Sequence, residues 1–197
     1  AALKKIKENT KAIPLYTNFA EAWAMGAWDA YIGGNATGDP KFMNQVMPHD
    51  KTPFKKDDKA PDTHPYAVYK TLYDAVANGY TEEDYSTTDW ESSKGRINNG
   101  EIATMVLGAW AVPQMKQAGD HPDDVQYMPF PITVDGKQYA TLAGNYSMGI
   151  NKNSDKDRQE AAMIFVKWMT EKSGYAKNEG GIPIVKSDDS LPETYEH

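Results

Sequence analysis

Apolar positions recur along this chain in two rhythms, one of helices and one of short extended segments. From Tyr66 to Asn78 they fall on one helix face (Tyr69, Leu72, Tyr73, Val76), and Gly79 follows where a helix exit favours positive φ. A helix is expected over Asp89–Asn98, with Thr88 and Glu91 at capping-box spacing and Trp90, Ser93, Lys94 and Ile97 on one face. Ala111–Ala118 predicts another, stopped by Gly119. The longest helix runs from a Ser154 cap, paired with Asp157, to Lys172, with Ala161, Ile164, Phe165, Trp168 and Met169 as its core stripe. A short helix over Leu3–Asn9 closes the count at the chain start, and Pro14 prevents it from resuming.

Between these lie extended readings: Ile13–Tyr16, Ile102–Leu107, Val125–Pro129, Gln138–Leu142 and Tyr146–Ile150. Val134-Asp135-Gly136-Lys137 carries the Asp-Gly signal of a tight hairpin. Gly33–Pro40 is turn-rich, and a turn accounts fully for the glycosylation-like Asn35-Ala36-Thr37. Lys41–Pro65 reads as irregular and polar, with Lys55–Lys59 a solvated loop and His49 and His64 surface histidines without metal-ligand spacing. A further helix start is expected near Leu191.

Two stretches carry candidate chemistry. In the first, Thr17 or Asn18 caps a helix through Tyr31 that is apolar around nearly its whole circumference, which predicts burial. Trp28 reads as core. Trp23 either packs inside or lines a pocket at the helix start, where free N–H groups suit an oxygen-rich ligand. In the second, Asn98–Trp110, a helix stop at Gly100 leads through a buried strand to a turn at Gly108. Trp110 then stands where a strand's carboxyl end meets a new helix. Open α/β sheets bind ligands at that end, and an indole offers a flat apolar face with an N–H handle. The other reading has Trp110 closing the core.

Composition narrows the classes. A formal charge of −7 with no basic block argues against nucleic-acid binding. With no cysteine there is no disulfide, no thiolate metal ligand and no cysteine nucleophile. Five Trp and twelve Tyr exceed what a core of this size needs, which favours a recognition surface for carbohydrate or peptide. The start is no signal peptide, and the chain reads as a mature or excised piece of something longer.

The order of motifs resembles the carbohydrate-binding, maltose-binding-protein-like class of bacterial ABC-transporter extracellular solute-binding proteins. Asn99-Gly100-Glu101-Ile102-Ala103-Thr104-Met105 followed by Gly108-Ala109-Trp110 is similar to that family's NGK-A-A-M … G-x-W segment. Gly144-Asn145-Tyr146-Ser147-Met148-Gly149-Ile150, with the long helix after it, and Gly180-Gly181-Ile182-Pro183 resemble two later family segments. The resemblance implies an α/β, periplasmic-binding-protein-like lobe, a mixed sheet flanked by helices, as a fragment of a two-lobed protein. Residues 1–12 would end a first-lobe helix and cross over. Residues 13–144 would form the second lobe, and 145–197 would return toward an incomplete first lobe.

It also implies a sugar or oligosaccharide ligand, ABC-transporter permease partners, no cofactor and an extracellular, cell-surface or periplasmic location. Membrane association would come only through a lipid anchor on the full-length protein. By position, Trp110 matches the stacking tryptophan. Asn18, Phe19 and Trp23 match the segment entering the second lobe, and Gly144, Asn145 and Tyr146 match the crossing at the cleft mouth. No catalytic or metal residue is expected. The alternative is a glycoside hydrolase, which needs paired carboxylates across a cleft. Glu21, Asp29, Asp89, Glu91 and Glu101 all have ready readings as helix-surface, capping or turn residues. A structural or adhesive surface module is the third reading.

Overall fold

Pro14 shapes the centre of the fold. The computed structural model describes residues 1–142, 144 and 146–188; Asn145 and the helix start expected near Leu191 lie outside them. Helix α1 (Ala2–Asn9) ends with Thr10, whose N–H and hydroxyl both donate to the Ile6 carbonyl. The next segment, Ile13–Tyr16, runs parallel to two others. The amides of Ile13 and Tyr16 donate to Glu101 and Thr104 (2.9 Å each), and that of Leu15 donates to Tyr80 on the opposite side (3.0 Å). Proline has no N–H to give, so the ladder is interrupted there; the Pro14 carbonyl instead accepts from the Thr104 hydroxyl.

The pairing consists of isolated parallel bridges, Ile13 with Ile102, Leu15 with Thr81 and Tyr16 with Met105. The strands expected over Ile102–Leu107, Val125–Pro129, Gln138–Leu142 and Tyr146–Ile150 do not form among the described residues. Burial of Ile102, Leu107 and Val125 is real, yet it arises from packing and not from a regular ladder.

The chain divides into two compact units, 1–141 and 142–197. In the first, helices α2 (Trp23–Asp29), α3 (Gly34–Thr37) and α4 (His64–Ala77) build one core with Leu15, Trp28, Ile32, Val68, Leu72, Phe130 and Ile132. Trp28 is buried, as expected. The inner face of α4 is Val68, Leu72 and Ala75, with Tyr69 and Val76 partly buried against the same core, so of the face predicted from spacing only Tyr73, 71% exposed, turns outward. A phenol needs a partner when buried, and the aliphatic side chains do not. Tyr69 finds one in Asp29, to which its hydroxyl donates. Gly79 takes φ +64 at the helix exit, as expected.

Helices α5 (Trp90–Asn98) and α6 (Ala111–Lys116) frame a second core of Leu107, Ala111, Val112, Met115 and Val125. Asn98 joins them: its amide donates to the Met115 and Lys116 carbonyls at 3.0 and 3.4 Å, and its oxygen accepts from the His121 N–H at 2.9 Å. It thereby satisfies carbonyls that the end of α6 leaves open. An apolar groove of about 1060 Å³, lined in part by Leu3, Leu15, Ile102, Leu107 and Phe130, runs along both cores.

Several caps differ from expectation. Asp89, not Thr88, caps α5, accepting from the Glu91 and Ser92 amides; the Thr88 hydroxyl instead accepts from the distant Ala20 amide. α2 begins only at Trp23, because Asn18 sits in the left-handed region at φ +58 and breaks the run. The Asp135-Gly136 turn forms as expected, both residues at positive φ and Val134 bridged to Lys137. Asn35 lies in the one-turn helix α3 and not in a turn, buried with its amide bonded to Tyr139 and Thr141, which fits a structural role.

In the second unit, Asp155 caps the long helix α7 (Lys156–Glu171) in place of Ser154, and α8 (Tyr175–Asn178) follows. The stripe expected to be core is open to solvent: Ile164, Phe165 and Trp168 are 64%, 58% and 51% exposed. No described residue of this unit is buried, so it presents an apolar helix face without a core of its own.

Candidate functional site

The parallel segments share a direction, so their carboxyl ends gather Thr17–Asn18, Glu82 and the approach to Trp110 at one edge. This is the edge at which α/β sheets bind ligands. Glu82 fastens two of these ends together. Its buried carboxylate accepts from the Thr17 amide (2.9 and 3.0 Å), the Thr17 hydroxyl (2.5 Å) and the Asn18 amide (3.2 Å). Asn18 is 1% exposed, yet neither its side-chain nitrogen nor its side-chain oxygen has a hydrogen-bond partner. A buried amide with both ends unmet costs free energy, and such groups collect at functional positions.

From Asn18 the chain turns sharply. The Glu21 amide donates to the Asn18 carbonyl and the Ala20 amide to the Thr88 hydroxyl (3.0 Å), which delivers Trp23 to the start of α2. Trp90 opens α5 and Trp110 precedes α6, so three indoles stand at the amino ends of three helices. They meet. Ring centroids lie 5.7 Å apart for Trp23 and Trp90, 5.9 Å for Trp23 and Trp110, and 5.6 Å for Trp90 and Trp110. Trp23 and Trp110 are 41% and 40% exposed, while Trp90 is half-buried. Trp110 is thus on the lip and not in the core.

Gly108 is the reason its ring can lie where it does. A Cβ at that position would come within 2.6 Å of Trp110 Cδ1 and Nε1. Polar groups surround the cluster. Trp23 Nε1 donates to Glu21 (3.0 Å), and the Lys94 ammonium sits 5.3 Å over the Trp90 ring while pairing with Glu91 at 2.7 Å. Hydrogen bonds from Ser92, backbone first and then hydroxyl, hold the Asp89 carboxyl below the usual aspartate range at the mouth of α5.

Of the residues expected from sequence, Trp23 and Trp110 are brought together here, and Asn18 lies at the turn leading into the cluster. Phe19 is partly buried and packs on the first core. Gly144 and Tyr146 belong to the second unit, where Tyr146 is 72% exposed with its ring 6.1 Å from that of Tyr175. Trp90 and Glu82 were missed. Trp90 shares a helix face with core residues, which disguises it, and nothing local marks Glu82 as the anchor of Thr17 and Asn18.

The sequence profile of the bacterial extracellular solute-binding proteins matches residues 1–190. The chain belongs to that family. Among solved structures it is similar to a manno-oligosaccharide-specific solute-binding protein from Bifidobacterium animalis subsp. lactis, in complex with mannotriose. Identity is 92%, the TM-score is 0.95, and the match covers 99% of this chain and 46% of that one. It is also similar to a binding protein of an ABC transporter from the same organism. In complex with mannobiose the identity is 84% and the TM-score 0.95, over 98% of this chain and 45% of that one. In complex with mannotriose the values are 82% and 0.91, over 98% and 46%. The chain spans about half the length of these structures. No curated protein matches it.

Proposed function

We propose that this chain is part of an extracellular substrate-binding subunit of an ABC transporter, which captures a manno-oligosaccharide between two lobes and hands it to the permease. The observation that carries the reading is the pair of exposed indoles at the carboxyl edge of the parallel segments, with the unpartnered amide of Asn18 at the turn that leads into Trp23. Indole faces receive the C–H face of a pyranose, and an amide with free donor and acceptor serves its hydroxyls. In this reading Trp110, Trp23, Asn18 and Phe19 come from the second lobe (residues 13–144), and Gly144, Asn145 and Tyr146 from the crossing. Residues 1–12 close the preceding crossing, and 145–197 return to the first lobe.

The parallel bridges are then the start of a mixed sheet that the rest of the two-lobed protein extends. The exposed face of α7 supports this, since an apolar stripe of that size is ordinarily covered. The protein works outside the cell, held at the membrane by a lipid anchor on the full-length chain, and hinge closure around sugar gives the permease a form to recognise. A hydrolase is not favoured: the relatives are described as solute-binding proteins, and Glu82 already spends its oxygens on Thr17 and Asn18. Calorimetry of the two-lobed protein with mannobiose, mannotriose and an unrelated disaccharide tests the proposal. Selective, saturable binding of the mannose series without turnover is the expected result; no binding of any, or release of mannose, would refute it.

A further inference from the structure

Trp90 is half-buried and touches two indoles that are more exposed, which also touch each other. It meets Trp23 edge-on at 90° and Trp110 at 64°, while the two exposed rings face each other at 57° across 5.9 Å. The ammonium over its face belongs to a lysine whose side chain is only 14% exposed, held by Glu91 and in reach of Gln114 (3.5 Å), a residue of α6. Lys94 therefore ties α5 to α6 across the Trp90 ring. Asp89 fixes the other end by capping the helix that Trp90 begins.

We infer that Trp90 is a specificity-determining positioning residue: packed against both Trp23 and Trp110 as the third ring of the cluster and clamped by Lys94, it sets the angle between the two exposed indoles and so how many sugar rings they receive. The inference rests on the carbohydrate reading above. Consecutive pyranose rings lie side by side at a spacing comparable with that of the two indole centroids, so a fixed tilt suits two adjoining sugars and not one. Without Trp90 each exposed ring loses one of its two aromatic contacts, and the tilt between them is no longer fixed. The loss then falls on the longer ligand.

The test uses the full-length, two-lobed protein carrying Trp90→Ala, Trp90→Phe or Lys94→Met, with calorimetry against mannobiose and mannotriose. Circular dichroism reads the coupling of the indoles, and thermal melts read the fold. In Trp90→Ala the mannotriose-to-mannobiose affinity ratio is expected to fall by about fivefold or more. Trp90→Phe should recover most of it, and Lys94→Met should move it part of the way in the same direction. If Trp90→Ala fails to fold, the other two variants decide. Both affinities falling by one common factor, or neither changing, would overturn the role while leaving the carbohydrate reading intact. Wild-type protein that binds neither sugar would remove both.

Discussion

At Gly108 a single hydrogen in place of a methyl group leaves the room that the Trp110 indole occupies. The ring is 40% exposed where a core tryptophan would be hidden, so its worth is read in ligand more than in stability. Trp110→Ala in the two-lobed protein should weaken mannotriose binding at least about tenfold, of order 1–2 kcal/mol, while the protein still unfolds cooperatively with a modestly lower melting temperature from the two lost ring contacts. Calorimetry beside a thermal melt checks both halves of that statement. Asn18 poses the opposite question. It holds a left-handed backbone and an amide with no partner in a buried place, two features that a selection for stability alone would remove. Glycine relieves both, at the expense of a small void and a looser unfolded chain. Asn18→Gly should shift stability by less than about 1 kcal/mol in urea unfolding, yet lower sugar affinity by about tenfold. Affinity that survived the change would assign the amide to folding.

Among the elements, α5 matters most because Trp90 is its first turn. Its cap is an exposed carboxylate whose folded pKa lies below the ordinary 3.8, lowered first by the Ser92 amide. A depressed acid stabilises the fold above its unfolded pKa, and that contribution fades as pH falls through the folded value. The Asp89 carboxyl resonance should therefore titrate below that of a solvent-free-standing aspartate, and the indole signature of Trp90 should change with it in the same acid window. NMR titration with parallel fluorescence measures this. The join between α5 and α6 is stiffer. Asn98 is 2% exposed and serves three backbone groups, so Asn98→Ala should cost about 1–3 kcal/mol in denaturant unfolding.

The helices and the Asp135-Gly136 turn were legible in the sequence because periodicity and turn chemistry are local. Caps moved by a residue where a carboxylate was at hand, as Asp89 displaced Thr88, whose hydroxyl was claimed by Ala20 from far along the chain. The strands were the least legible. Whether Ile102 or Val125 pairs depends on partners that no local pattern announces, and Pro14 denies the central segment one of its donors. Tyr73 and Trp90 erred in opposite ways: the first has core spacing and faces water, the second has core neighbours and completes the candidate site.

For the molecule as a whole, the second unit has an apolar helix face and no buried residue among those described. With Ile164, Phe165 and Trp168 open and Ile184 79% exposed, the 197-residue chain should bind a hydrophobic dye and associate in solution. A chain carrying the remaining length of the family should do neither. Dye titration and sedimentation of the two proteins side by side measure the difference; equal dye binding would mean that the face serves something other than contact with that additional length. The three indoles supply a gauge for such work. Positions 23, 90 and 110 belong to stretches that find one another only after long loops have closed. Light absorbed by one ring is shared with the others while the assembly holds, and ceases to be shared as soon as any one helix start drifts away. An unlabelled sample thus reports, through its own emission, whether the three-indole cluster is assembled.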